Sequence, residues 1–215
     1  MMVTIDGPAG AGKSSAARAL AQRLGFKFLD TGAMYRAVTL AAIERNWDWT
    51  DCDGLARLAR EISIELVGDR VLLDGRDVTT AIRTAAITAA SRWAADNPGV
   101  RAHLVVLQRQ AAAGHDVVTE GRDQGTVVFP DAECKIFLTA DPAERARRRM
   151  GDLAGRGEQV AFEEVLAKQE ERDQRDRQRE VGPLVPAPDA VEVSTDGLTP
   201  GEVVDKLQQI VRSKR

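Results

Sequence analysis

A β-branched run, a glycine-rich turn and a lysine-serine pair stand together near the start of the chain. They read Val3-Thr4-Ile5-Asp6, then Gly7-Pro8-Ala9-Gly10-Ala11-Gly12-Lys13-Ser14. The spacing is G-x-x-x-x-G-K-[ST], the phosphate-binding P-loop, and it constrains the fold more than any other feature. Such a loop works only between a strand and a helix. Both flanks fit, because Ser15 to Leu24 is rich in Ala, Leu, Arg and Gln, all strong helix formers. The glycines let the backbone curl until successive N–H groups point at phosphate oxygens, at the positive end of the new helix. Gly7, Pro8, Ala9, Gly10, Ala11, Gly12, Lys13, Ser14 and Ser15 are therefore the expected cradle of a nucleoside triphosphate. Lys13 would reach the β- and γ-phosphates and Ser14 would offer its hydroxyl to Mg²⁺.

Short apolar runs continue to alternate with helical stretches. Phe28-Leu29, Asp116-Val117-Val118-Thr119, Lys135-Ile136-Phe137-Leu138-Thr139 and Ala190-Val191-Glu192-Val193-Ser194 read as strands. With the opening strand these predict an α/β fold of three layers around a five-stranded parallel core sheet. The last helix, Pro200 to Val211, carries Val203, Val204, Leu207, Ile210 and Val211 at the spacing of one buried face. Two segments break the alternation. Residues 53–98 include Ile62 to Val67, a Gly68-Asp69 turn and Arg70 to Leu73, a hairpin pattern that predicts a small inserted subdomain. The Arg-rich stretch from Arg145 to Arg179, interrupted by Gly151, Gly155 and Gly157, predicts two helices joined at a flexible tip, with 145–165 as a lid. The whole, 1–215, is expected to be a single domain with these two additions.

The 215 residues can bury a sizeable core, and no apolar run is long enough to span a bilayer. No signal peptide is expected, since the first strand begins by Val3 and belongs to the site. Cys52 and Cys134 are too few for a disulfide framework, and with His103 and His115 show no metal-ligand spacing. A cytoplasmic monomer without a membrane partner is the expectation. A formal net charge of -3 argues against a nucleic-acid partner, which favours a basic surface. Within that balance stand 24 arginines among the 30 basic residues. Arginine's planar fork holds phosphate bidentately, so the position of each one matters.

A P-loop does not say what receives the phosphate. No Asn-Lys-x-Asp guanine motif is present, and Asp51-Cys52-Asp53-Gly54 follows no apolar strand, so a GTPase switch is not supported. Glu120 closes the strand at Val117-Val118-Thr119, where a carboxylate would sit near the phosphates and could hold Mg²⁺ through water. Arg172, Asp176 and Arg179 are spaced i, i+4, i+7, along one helix face; Arg145, Arg148 and Arg149 share another, at the base of the lid. The latter suit a charge developing on a transferring phosphoryl group, with Arg145 and Arg149 as the candidates beside Lys13.

Three further segments stand out: Asp30-Thr31-Gly32-Ala33-Met34-Tyr35-Arg36, the run Glu120-Gly121-Arg122-Asp123-Gln124-Gly125-Thr126-Val127-Val128-Phe129-Pro130-Asp131-Ala132, and Glu171-Arg172-Asp173 through Pro183-Leu184-Val185-Pro186. Together they resemble one family, the bacterial cytidylate kinases. The hairpin insertion with Asp77-Val78-Thr79-Thr80-Ala81-Ile82-Arg83-Thr84 is similar too, so the likeness covers nearly the whole chain. It implies transfer of the γ-phosphate of ATP, with Mg²⁺, to CMP or dCMP in pyrimidine nucleotide metabolism. It implies that Thr31, Arg36 and Arg122 hold the acceptor phosphate. Ser91, Arg101 and Asp123 would read the base, with Arg172 and Asp176 near the sugar hydroxyls and Arg179 near sugar or phosphate. The chemistry agrees: cytosine offers an amine beside two acceptors, so a carboxylate and an arginine suit it, whereas uracil would set a carbonyl against the carboxylate. Gln124 departs from the apolar residue common there, which predicts a changed local contact. Kinases of UMP, AMP or shikimate, and a nucleotide-binding regulatory module, are the competing readings.

Overall fold

In the computed structural model the apolar runs pair as parallel strands and the intervening amphipathic stretches coil into helices. It describes residues 1–155 and 157–214; Arg156, which falls within the expected lid, and Arg215 lie outside the described residues. The chain divides into two compact units, residues 1–28 with 116–215, and residues 29–115.

The first unit carries β1 (Met2–Asp6), α1 (Lys13–Leu24) and the start of β2 (Lys27–Asp30). After the second unit it continues with β6 (Val117–Gly121), β7 (Cys134–Thr139), α6 (Pro142–Ala154), α7 (Phe162–Gln178), β8 (Val191–Ser194) and α8 (Pro200–Ser213). The sheet has the five strands that the sequence predicts, in the order β2-β6-β1-β7-β8. β1 pairs in parallel with β6, placing Asp6 beside Gly121, and with β7, placing Ile5 beside Ile136. Val3, Ile5, Val118, Ile136 and Leu138 are fully buried, as the central strands of a parallel sheet require. Leu20 of α1 and Leu207 and Val211 of α8 pack on them. α8 starts with Pro200 after a capping box in which Thr199 and Glu202 satisfy each other's backbone N–H groups. It runs two residues past the expected end.

The Arg-rich stretch forms α6 and α7. Gly151 lies inside α6 and is not part of the break; the helix ends at Gly155, whose N–H donates to the Gly151 carbonyl (3.0 Å). One helical glycine costs only about 1 kcal/mol, which the surrounding helix formers offset. Likewise α7 stops at Gln178, so Arg179 is its extended cap and not its last helical residue.

The second unit contains α2 (Thr31–Glu44), α3 (Cys52–Glu61), β3 (Ile64–Val67), β4 (Arg70–Leu73), β5 (Arg76–Asp77), α4 (Ala85–Asp96) and α5 (Pro98–Ala112). Asp30, Asp51, Thr84 and Asn97 cap the four helices through their side chains. The expected hairpin is β3 with β4, and β5 extends it to a three-stranded antiparallel sheet. Asp74 and Gly75, both with positive φ (49° and 77°), form the tight turn that adds β5. Met34, Val38, Leu55, Leu58, Ile82 and Leu104 make this unit's own core. Residues 53–98 lie within it. Among the described residues no helix is long and apolar enough to cross a membrane.

Candidate functional site

β1 delivers the chain into the P-loop, where Gly7, Gly10 and Gly12 take positive φ (146°, 80° and 83°). The requirement is strict at Gly7, where a Cβ would lie 1.9 Å from the Leu138 carbonyl oxygen. α1 begins with no capping side chain and no acidic residue in its first turn, so its N–H groups and dipole are left for an anion. Lys13 folds back over the loop and donates to the Pro8 carbonyl (2.7 Å). Burial and then the charges of Arg122 and Arg172 lower its pKa to about 7, against the pull of Glu120 and Asp6. The Ser14 hydroxyl donates to Glu120 (2.8 Å), so a hydroxyl and a carboxylate stand together at the loop's mouth. Hard oxygen donors of this kind fit Mg²⁺, which takes few protein ligands and relies on phosphate and water for the rest. No group of three or more His, Cys, Asp or Glu among the described residues would hold a metal by itself.

β6 delivers Arg122 and Asp123. The Arg122 Nε donates to Asp176 (3.0 Å), and its Nη1 to the Gly121 carbonyl (3.2 Å). Arg179 closes on the other oxygen of Asp176. Burial disfavours the Asp176 charge, but Arg122, Arg179 and Arg172 together hold its pKa below the ordinary value. Arg172 is itself pushed down to about 10, by burial first and then by Arg122. Arg122, Arg172, Asp176 and Arg179 are thus one cluster, cationic on balance. Asp123 is buried, and past it residues Gln124–Val128 form a single π-turn. The Gln124 side-chain carbonyl accepts from the buried Thr119 hydroxyl (2.9 Å).

The arginines of α6 have separate surroundings. Arg145 is fully buried; it donates to the carbonyls of Ala140 (3.1 Å) and Ala9 (2.9 Å) and pairs with Asp173 (2.6 Å). It therefore grips the underside of the P-loop, next to Gly10, where an added Cβ would meet the Arg145 Cβ at 3.2 Å. Arg148 turns to Glu144 and Thr195. Arg149 is half-buried with no hydrogen bond or ion pair among the described residues.

In the second unit Thr31 opens α2, buried, and Arg36 lies one turn on. The Arg36 guanidinium reaches Asp30 (3.4 Å), and Arg83 meets the other oxygen of that carboxylate (3.1 Å). Ser91 donates to the Thr88 carbonyl (2.8 Å). Arg101 is buried, with Nη1 on the Ala95 carbonyl (3.1 Å) and its guanidinium 5.6 Å from the centre of the Tyr35 ring. Trp49 and Trp93 stack on each other at 6.2 Å, as packing and rim residues do.

Sequence reasoning missed Asp6, Arg83 and Asp173. Asp6 accepts the N–H groups of Gln124 (2.9 Å) and Gly125 (2.8 Å). Burial, opposed by those two bonds, raises its pKa to about 6; Asp123 adds to the rise and Lys13 opposes it. Its position directly before the P-loop was the available signal. Arg83 and Asp173 both stand in runs that carry the family likeness, without a spacing that marks them.

A model of the cytidylate kinase family matches residues 3–213. The chain is 52% identical over 212 residues to the cytidylate kinase of Rhodopirellula baltica, covering 99% of this chain and 93% of the relative. It is 48% identical over 218 residues to that of Carboxydothermus hydrogenoformans, covering 100% and 98%. It also matches, at 46% identity, 40% of a bifunctional pantoate ligase/cytidylate kinase from a Synechococcus strain. Among solved structures an uncharacterized protein from Eubacterium ventriosum aligns with TM-score 0.55 at 11% identity, over 99% of both chains. TT1252 from Thermus thermophilus aligns with TM-score 0.50 at 20% identity, over 100% of this chain and 97% of its own. At such identities the two structures speak for the fold alone.

Proposed function

The chain belongs to the cytidylate kinase family, and from that premise we propose that it transfers the γ-phosphate of ATP to CMP or dCMP, giving ADP with CDP or dCDP. The observation that carries this is the family match over residues 3–213, which takes in the P-loop and the Arg122-Asp123 turn alike. The product enters pyrimidine nucleotide metabolism in the cytoplasm.

Phosphoryl transfer passes through a loose transition state, so the protein's task is to position two nucleotides and neutralise charge. The P-loop N–H groups and Lys13 hold the β- and γ-phosphates. Ser14 and Glu120 would hold Mg²⁺, which would offset charge on the phosphates. Thr31, Arg36 and Arg122 hold the acceptor phosphate, already ionised and in no need of a general base. Asp123 accepts from the cytosine amine, and Ser91 and Arg101 complete the reading of the base. Arg172 and Asp176 serve the sugar hydroxyls, and Arg179 sugar or phosphate. Arg149 neutralises the transferring group, and Arg145 acts through the P-loop it grips. The segment 53–98 serves as the acceptor-binding insertion and 145–165 as the lid.

A coupled assay of ADP release over CMP, dCMP, UMP, AMP and shikimate tests the reading, with Asp123→Asn beside the parent. The parent should prefer CMP and dCMP. An amide at Asp123 can donate to the uracil carbonyl, and an unpaired donor or acceptor costs about 1–3 kcal/mol. The CMP-over-UMP ratio in kcat/KM should therefore fall by roughly ten- to a hundredfold. Equal losses on CMP and UMP would place Asp123 in the transfer machinery and sink its role in base choice.

A further inference from the structure

The residue that ends β1 holds the turn that follows β6. Both oxygens of Asp6 are used: Oδ1 accepts from Gln124 N–H (2.9 Å) and Oδ2 from Gly125 N–H (2.8 Å). A second anchor is the Thr119 hydroxyl, donating to the Gln124 side-chain carbonyl (2.9 Å). Inside the turn, the Asp123 carbonyl accepts from Val127 (2.9 Å) and Val128 (3.2 Å), and the Gln124 carbonyl from Phe129 (2.7 Å). The first N–H groups of any helical turn have no partner within it, and here a buried carboxylate supplies one for two of them. Gly125 lies so close to β1 that a Cβ would meet the Thr4 Oγ1 at 2.9 Å, so the turn has little room to shift.

A π-turn is rare and concentrates at functional sites; this one begins immediately after Asp123. Burial of an ionised carboxylate is costly, and Asp6 is only 5% exposed. An apolar residue would fill the space without that cost but could not hold two N–H groups. We propose that Asp6, with the Thr119–Gln124 bond as second anchor, is a positioning residue that aims the Asp123 carboxylate. The inference rests on the reading of Asp123 given above. Its consequence is that one residue at the end of β1 both launches the P-loop and sets the aim of the base-reading turn.

Two variants test it, each checked for folding by circular dichroism and a thermal melt. Asp6→Asn keeps the shape but sets an amide donor against one of the two N–H groups. Thr119→Val keeps the size and removes the second anchor. In both, KM for CMP should rise and the CMP-over-UMP ratio in kcat/KM should fall, by about tenfold for Asp6→Asn and less for Thr119→Val. KM for ATP should stay within about threefold in Thr119→Val, whose anchor lies away from the P-loop, a split that general loosening of the fold would not produce. An unchanged ratio in folded Asp6→Asn and Thr119→Val, with Asp123→Asn altered in parallel, overturns this inference and leaves the Asp123 reading standing. If Asp6→Asn does not fold, Thr119→Val decides alone. An unchanged ratio in Asp123→Asn removes both.

Discussion

At the scale of residues the P-loop lysine is held against its own charge. Lys13 is buried with Arg122 and Arg172 for neighbours, and its pKa lies near 7, against an ordinary 10.5. The folded pKa is below the unfolded one, so the unfolded chain binds the proton more readily between those values. Stability without ligand should therefore fall as pH drops from about 10 to about 7, and change little further through this group. Phosphates beside Lys13 reverse the sign, since an anion favours the ammonium. ATP binding at pH 8 should thus be accompanied by proton uptake at Lys13. Calorimetry in buffers of different ionisation enthalpy measures this, and Lys13→Ala should lose the uptake along with about a hundredfold or more of turnover. Equal uptake in both proteins would show that Lys13 is already charged. Lys13, Arg122 and Asp123 were legible in the sequence because each sits in a contiguous motif. Asp6 was not, because its partners are 118 and 119 positions away and only the pairing of β1 with β6 brings them close.

At the scale of elements the buried pair Arg145–Asp173 joins α6, α7 and the P-loop, with side chains 3% and 2% exposed. Removing one member of a buried pair leaves the other charge without compensation, so Asp173→Ala should cost about 3–5 kcal/mol in urea or thermal unfolding. A loss below about 1 kcal/mol would show that water or a neighbour takes over the guanidinium. Gly7→Ala should be worse: the added Cβ would stand 1.9 Å from a carbonyl of β7. Neither strand can move without breaking the central pairing, so the expected outcome is no folded protein on expression. The five core strands were legible because continuous apolar runs, such as Lys135-Ile136-Phe137-Leu138-Thr139, suit strands buried on both faces. β5 was not, since Arg76 and Asp77 have no apolar pattern and are strand only because the Asp74-Gly75 turn lays them on β4. The end of α7 was also misplaced, because Arg179 folds back on Asp176 as a helical neighbour would.

At the scale of the molecule, the proposed acceptor residues Thr31, Arg36, Ser91 and Arg101 belong to residues 29–115, and the P-loop, Arg122, Asp123 and the Arg172–Arg179 cluster to the other unit. The hairpin pattern and the glycines at 151, 155 and 157 suggested the proposed insertion and lid, but periodicity could not reveal a unit boundary that runs through β2. Transfer to a phosphate acceptor competes with transfer to water, so chemistry should wait until both nucleotides are bound and solvent is shut out. The proposed insertion and lid would supply that closure, while the central strands, buried on both faces, should stay rigid. Hydrogen exchange separates the steps. ATP alone should protect the peptides spanning residues 7–15. A bisubstrate analogue joining the two nucleotides should in addition protect 53–98 and 145–165, by about tenfold or more in exchange rate where N–H groups leave solvent. The strands β1, β6 and β7 should exchange slowly in every state. Protection of the two segments by ATP alone would mean that closure precedes the acceptor and cannot guard against hydrolysis. An absence of change in both would remove them from the catalytic cycle.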